Sequence, residues 1–158
     1  MKRIVTLLLT LCILLSFAAC GGEKEPVPSF FYLHTDENIR YGDAGALIAP
    51  VPYEGTQELP LEEILQLYLL GTGDENLRNP IPNDTSLICI NRRDNLLILE
   101  LSQEFASLDD IQISLAGACL AATCHSLAGY EAIQVRSGEN VYDFNLKDFL
   151  FLDDSTGE

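Results

Sequence analysis

Asn95-Leu-Leu-Ile-Leu-Glu-Leu-Ser-Gln-Glu-Phe105 runs through a short acidic joint into an Ala-rich stretch from Ile111 to Leu127. The first part reads as a strand and the second as a long helix. Leu97, Leu99 and Leu101 alternate, so they point to one face of a strand. Leu96 and Ile98 begin the opposite face, which Glu100 and Ser102 turn polar. Ser107 precedes Asp110 by three residues, a capping-box spacing with the shorter acid. Asp109 and Asp110 also sit where a helix dipole favours negative charge.

Beyond them, Ile111, Leu115, Ala118, Cys119 and Ala122 mark one helical face. Ile113, Gly117, Leu120, Cys124 and Leu127 make a second face that is also largely apolar. A helix apolar nearly all round is usually buried on more than one side. Ala116, Gly117, Ala118, Ala121 and Ala122 are small enough for a backbone or sheet to approach closely, and Gly129 is a natural stop. Two readings follow: a core helix, or a helix whose second face (Ile113, Gly117, Leu120, Cys124, Leu127) is kept for a partner subunit.

Upstream, Lys2 and Arg3 form a basic start, and residues 4–19 are uncharged and rich in Leu, Ile and Ala. That run is shorter than the roughly 20 residues a membrane span needs, and it ends in small residues, as signal peptides do. Phe17-Ala-Ala-Cys20-Gly-Gly22 resembles the lipobox of bacterial lipoproteins. The resemblance implies cleavage before Cys20 and a diacylglycerol on its sulfur. It places the mature protein on the extracytoplasmic face of the bacterial cell membrane. Removing residues 1–19, with Lys2 and Arg3, leaves 139 residues and moves the net charge from −15 to −17. That length is one domain, here taken as 30–152, with a flexible tether over 20–29 and a frayed tail over 153–158. A body so acidic repels nucleic acid and anionic lipid alike, so attachment to the membrane must be hydrophobic.

Of five cysteines, Cys12 goes with the signal peptide and Cys20 is used for lipid. Cys119 and Cys124 are five apart on one helix, about 140° around its axis, and cannot bridge each other without unwinding it. Cys89 could reach one of them if strand and helix touch; three buried free thiols are the other outcome.

Phe30 to Thr35 reads as an opening strand, and residues 46–51 as a short edge strand that tolerates proline. Leu61, Ile64, Leu65 and Tyr68 recur at helical spacing, between Pro60 and Gly71. Strands follow at 85–91, 132–136 and 141–144. Arg92-Arg-Asp-Asn95 forms a hairpin turn in which Asn95 could be left-handed, and Phe149-Leu-Phe-Leu152 should dock on the core. The expected fold is α+β, a two-layer sandwich with two helices on one face of a mixed β-sheet.

Three strings in that order carry a family resemblance: Phe31-Tyr-Leu33, Asn79-Pro-Ile-Pro-Asn-Asp-Thr85, and Leu97 to Phe105. Together they resemble the GerMN domain of spore-germination and sporulation lipoproteins, which is similar to ring-building-motif domains that pack side by side in envelope assemblies. The resemblance implies a membrane-tethered interaction module with a protein partner or self-association.

Residues that could carry chemistry are sparse. His34 and Asp36 are expected on a solvent-facing loop, and His125 at a helix C-terminus. Cys124 and His125 are adjacent and diverge by about 100° on a helix, which is no dyad. Asp74-Glu75 and Asp153-Asp154 read as exposed acidic loops before weak calcium ligands. No P-loop, Gly-x-Ser-x-Gly, His-Glu-x-x-His or EF-hand series occurs, so no catalysis, cofactor or metal is expected. The competing class is a small-ligand-binding or hydrolytic envelope protein, which would gather His34 or His125 with two or more carboxylates.

Overall fold

The computed structural model describes residues 27–35, 47–55 and 59–149. The signal-peptide, lipobox and most tether residues, Asp36, and the segment from Leu150 onward lie outside the described residues.

The strand expected at the centre is β5 (Leu96–Leu101), in a four-stranded sheet with β4 (Leu87–Arg93), β6 (Ala132–Ser137) and β7 (Asn140–Asn145). The order is β4-β5-β6-β7, with β5 and β6 parallel and the other pairs antiparallel. Leu97, Leu99 and Leu101 are buried as their alternation requires, beside Ile133, Val135 and Phe144 on the same face. Glu100, Arg136 and Asp143 lie on the outer face. There Arg136 Nε donates to Gln134 Oε1, and Gln134 Nε2 donates to Asp143 Oδ1.

The chain does not close into a single sheet. β1 (Ser29–His34), β2 (Ile48–Pro52) and the two-residue β3 (Leu77–Arg78) form a separate antiparallel sheet, ordered β2-β1-β3. β1 begins at Ser29, inside the stretch expected to be tether. Val51 and Ala49 pair with Phe30 and Tyr32, so their amides point at β1. His34 N donates to Leu47 O and Tyr53 N to Pro28 O, which fixes this parity. Pro50 and Pro52, which have no N–H, therefore line the other side of β2.

The long helix, α2 (Asp110–Ala128), connects the two sheets. It is long and apolar enough to cross a membrane by composition alone. Here it lies along β1 of the first sheet and touches β6 and β7 of the second. Being covered on two sides explains why it is apolar nearly all round. Close approach to the second sheet occurs at Gly117, where a Cβ would collide with the Phe144 ring. Contact with the first sheet adds two hydrogen bonds to apolar packing around Tyr32. Phe31 N donates to Thr123 Oγ1 at 3.0 Å and Ser29 N to Ser126 Oγ at 2.9 Å. β3 pairs only with Leu33 and His34, so two hydroxyls of α2 stand in for the missing strand along the rest of β1.

The start of α2 departs from the expected cap. Asp109 is the N-cap: its carboxylate accepts from Gln112 N, and Gln112 Oε1 accepts from Asp109 N. Ser107 is engaged earlier, donating to Glu104 O in the 3-10 turn Gln103–Ser107. The helix ends at Gly129, at φ 76°. The first helix, α1 (Leu61–Leu69), buries Leu61, Ile64, Leu65, Tyr68 and Leu69, and is followed by Gly71 at φ 85°. In the β4–β5 hairpin the positive φ falls on Asp94, at 50°, and not on Asn95. Phe149 follows a 3-10 turn at Leu146–Asp148 and packs near Phe144, with ring centroids 6.3 Å apart.

Candidate functional site

The helix face proposed for a partner is occupied from within. Gly117, Leu120 and Cys124 are buried, and Ile113 and Leu127 pack half-buried against the same core. The core-helix reading is the one that describes α2; its second face meets the chain's own sheet, so any partner surface must be sought elsewhere.

Around Cys124 the joint between the layers is fully buried. Tyr32 and Tyr68 stack with centroids 5.1 Å apart. Tyr32 Oη donates to Tyr68 O, and Tyr68 Oη to Phe31 O. Burial pushes the Tyr32 hydroxyl up to about 12. Burial, then the nearby Cys119, raises Tyr68 well above the usual tyrosine range. Burial also pushes the Cys119 and Cys124 thiols up to about 12, so both stay protonated and unreactive.

Cys89 differs. It lies on the outer face of the second sheet, opposite Glu100, so it faces away from α2 and does not join the other two thiols in the core. All three cysteines are free, but Cys89 is only half-buried. Its Sγ donates to Glu100 Oε2 at 3.3 Å and accepts from Asn91 Nδ2 at 3.6 Å. The hydrogen bond to the Glu100 carboxylate is the first cause that raises this thiol.

The two histidines are far apart in the fold. His34 ends β1 opposite Leu77, half-buried, with Nδ1 enclosed and without a hydrogen-bond partner. It closes the strand read over 30–35, but its side chain is half-buried and not solvent-facing as expected. His125 is exposed near the C-terminus of α2, and its neighbour Cys124 turns inward. Asp74 accepts from Asn76 N and Nδ2, which closes a short exposed turn. Among the described residues no group of three or more His, Cys, Asp or Glu could hold a metal ion.

The fold has two distinguishable ends. At one, Pro28, Tyr53, Leu61 and Leu127 line a cleft where the described chain begins. Ala128 joins this cleft to another that reaches Asp94 and Asn145. At the opposite end β4 and α2 begin, and β1, β5, β6 and α1 finish. Ser102 Oγ accepts from Ser86 N, and Ser137 Oγ accepts from Ala106 N, which ties these chain ends together. A cleft of about 280 Å³ lies here, lined by Leu33, Arg78, Ile81, Leu108, Gln112 and Leu115. Leu70, Ile88, Ile111 and Val141 are exposed at this end. Sequence reasoning missed them. Ile88 sits at a register shift between β4 and β5, so strand alternation would place it wrongly.

No family model matches the chain, and no curated protein matches it. Solved structures do. One is the first GerMN domain of the sporulation protein GerM from Bacillus subtilis, with a TM-score of 0.49 and 15% identity, covering 75% of this chain and 86% of that one. Another is a candidate lipoprotein from Clostridium perfringens, with a TM-score of 0.45 and 17% identity, covering 76% of this chain and 89% of that one. The chain is similar to a GerMN domain. The three strings that carry that resemblance in the sequence occupy β1, the loop before β4, and β5 with the turn after it.

Proposed function

We propose that this protein is a lipid-anchored extracytoplasmic lipoprotein whose domain works by contact with a protein and not by catalysis. The resemblance to GerMN domains suggests a setting in sporulation or germination. The observation that carries the reading is Phe17-Ala-Ala-Cys20, which follows a basic start and an uncharged run. It lies a few residues before a strand whose first amide is held by Ser126. Seven residues from Cys20 to Pro26 reach about 23–25 Å when extended, enough to clear the ~8 Å Debye length of a lipid surface. Two or more acyl chains, each CH₂ contributing about 0.8 kcal/mol, hold such a body despite its negative charge.

Metabolic labelling with an alkyne fatty acid, with mass spectrometry of the mature N-terminal peptide, tests the anchor. The expected result is a lipid-modified Cys20 at position one of the mature chain, and loss of label and of membrane association in Cys20→Ala. A mature protein starting with an unmodified thiol overturns the reading.

A further inference from the structure

We propose that the free edge of β7 takes up an extended segment of another extracytoplasmic protein by strand addition, a segment that alternates apolar residues with lysine or arginine. This rests on the contact reading above and names the surface that makes the contact. The first observation is the direction of the β7 amides. The two-residue turn Gly138-Glu139 makes Ser137 and Asn140 a closing hydrogen-bonded pair, and Leu146 N donates to Glu131 O. The amides of Asn140, Tyr142 and Phe144 therefore face β6. Those of Val141, Asp143 and Asn145 face outward, and Val141 and Asp143 turn their carbonyls the same way. β7 is the last strand of its sheet, and no backbone group among the described residues takes these outward amides.

The second observation is that this edge is unguarded. Proteins keep edge strands from recruiting other chains by shortness, proline, bulges or charge. Among the described residues the two sheets have four edges. β2 carries Pro50 and Pro52, and β3 is two residues long. β4 has a register shift between Leu87 and Cys89 and ends in Arg92 and Arg93. β7 keeps unbroken register with β6 and has no proline. Its one charge, Asp143, accepts from Gln134 Nε2 and is drawn back over the sheet. An edge left open where the other three are closed is suited to strand addition.

The side chains beside it select the occupant. On the core side an added strand would lie next to Tyr142 and Phe144, whose rings stack at 6.5 Å, so its inward residues must be apolar. On the outer side it would lie beside Val141 and Asp143, and the exposed Glu139 and Asp148 flank the strand. The nearby cations are engaged: Arg136, opposite Val141, donates to Gln134, and Lys147 is held by Glu131. Carboxylates along this edge call for lysine or arginine on the outer residues of the added strand. A second copy pairing edge to edge would bring the same carboxylates together.

Residue-resolved hydrogen exchange on the mature full-length protein, in non-ionic detergent, tests this. In the free protein Val141 and Asp143 should exchange at least about a hundredfold faster than Tyr142 and Phe144. A peptide alternating Lys with Val should slow Val141 and Asp143 about tenfold or more, and one alternating Glu with Val should not. Val141→Pro removes an outward N–H and leaves the ladder to β6 intact. With a melting temperature near the parent's, it should weaken the labelled Lys–Val peptide about tenfold by anisotropy. Val141→Thr keeps the amide and should bind as the parent does. The exchange readout uses the parent chain, so it decides the matter even where Val141→Pro does not fold.

Slow exchange of Val141 and Asp143 in the free protein overturns the proposal, because the edge is then already filled. The occupant is a second copy if that protection falls on dilution, and residues 150–158 if it does not. Outward amides that the Lys–Val peptide leaves unchanged also overturn it. So do equal effects of the two peptides, parental binding by a folded Val141→Pro, or an equal loss in Val141→Thr. The two readings fail separately. An unmodified Cys20 with this exchange pattern intact removes the anchor and keeps the edge. A lipidated Cys20 with the pattern absent removes the edge alone.

Discussion

The two sheets hold the same helix by different means. The four-stranded sheet meets α2 through shape, with Gly117 giving way to the Phe144 ring. The three-stranded sheet adds hydrogen bonds to its apolar packing, with Thr123 and Ser126 taking the β1 amides that no strand takes. Shape complementarity tolerates no added volume, whereas a hydrogen-bonded joint tolerates volume but not the loss of an acceptor. One helix therefore carries two kinds of vulnerability on faces that look alike in the sequence.

The largest effect is expected at Gly117. Gly117→Leu drives a side chain into Phe144 and should destabilise by about 3 kcal/mol or more, read from chemical denaturation. Pairing it with Phe144→Ala should recover part of the loss if steric conflict is the cause. Thr123→Val keeps volume and removes the acceptor, so it should cost about 1–3 kcal/mol through the unpaired Phe31 amide. Hydrogen exchange at Phe31 should accelerate while β5 and β6 remain protected. If Thr123→Val is neutral, the contrast between the two joints collapses. Ser126→Ala, at the more accessible end of β1, should cost about 1 kcal/mol or less.

Thiol chemistry sharpens the contrast without altering the fold. Cys119 and Cys124 lie in the joint, with thiols pushed up to about 12, while Cys89 is outside it. At pH 8 an uncharged thiol reagent should modify Cys89 first, and the helix pair only after denaturant is added. Site-resolved mass spectrometry checks this order, and rapid labelling of Cys124 in the native protein would show that the joint is not closed.

The smallest effect belongs to the Lys147–Glu131 pair at 2.7 Å, on the surface of the second sheet. The hydrogen bond from Lys147 holds Glu131 below 4.5, and the same bond holds Lys147 above 10.5. Its contribution is complete between those two ordinary values. It is lost as pH falls through the depressed Glu131 value or rises through the raised Lys147 value. Lys147→Ala should lower the melting temperature slightly near neutral pH, and the difference should vanish at molar salt.

Much of this fold was legible because alternation and helical spacing are local signals. Leu97, Leu99 and Leu101 announced their sheet, and Leu61, Ile64, Leu65 and Tyr68 announced α1. The division into two sheets was not legible, because it depends on where β1 runs out of strand partners. Thr123 and Ser126 gave no sign of that role within an apolar helix. The capping box moved by two residues because Ser107–Asp110 and Asp109–Gln112 share one spacing. The longer Gln112 reaches back to the N-cap amide, while Ser107 is already bonded to Glu104 O.

Pro50 and Pro52 have a consequence for crowding. A protein concentrated on a two-dimensional surface meets its own copies often, and an open strand is then an invitation to ribbon growth. On the outward side of β2, two of the positions that would offer hydrogens to an arriving strand have none to give. Along that margin, density alone cannot turn neighbours into fibres.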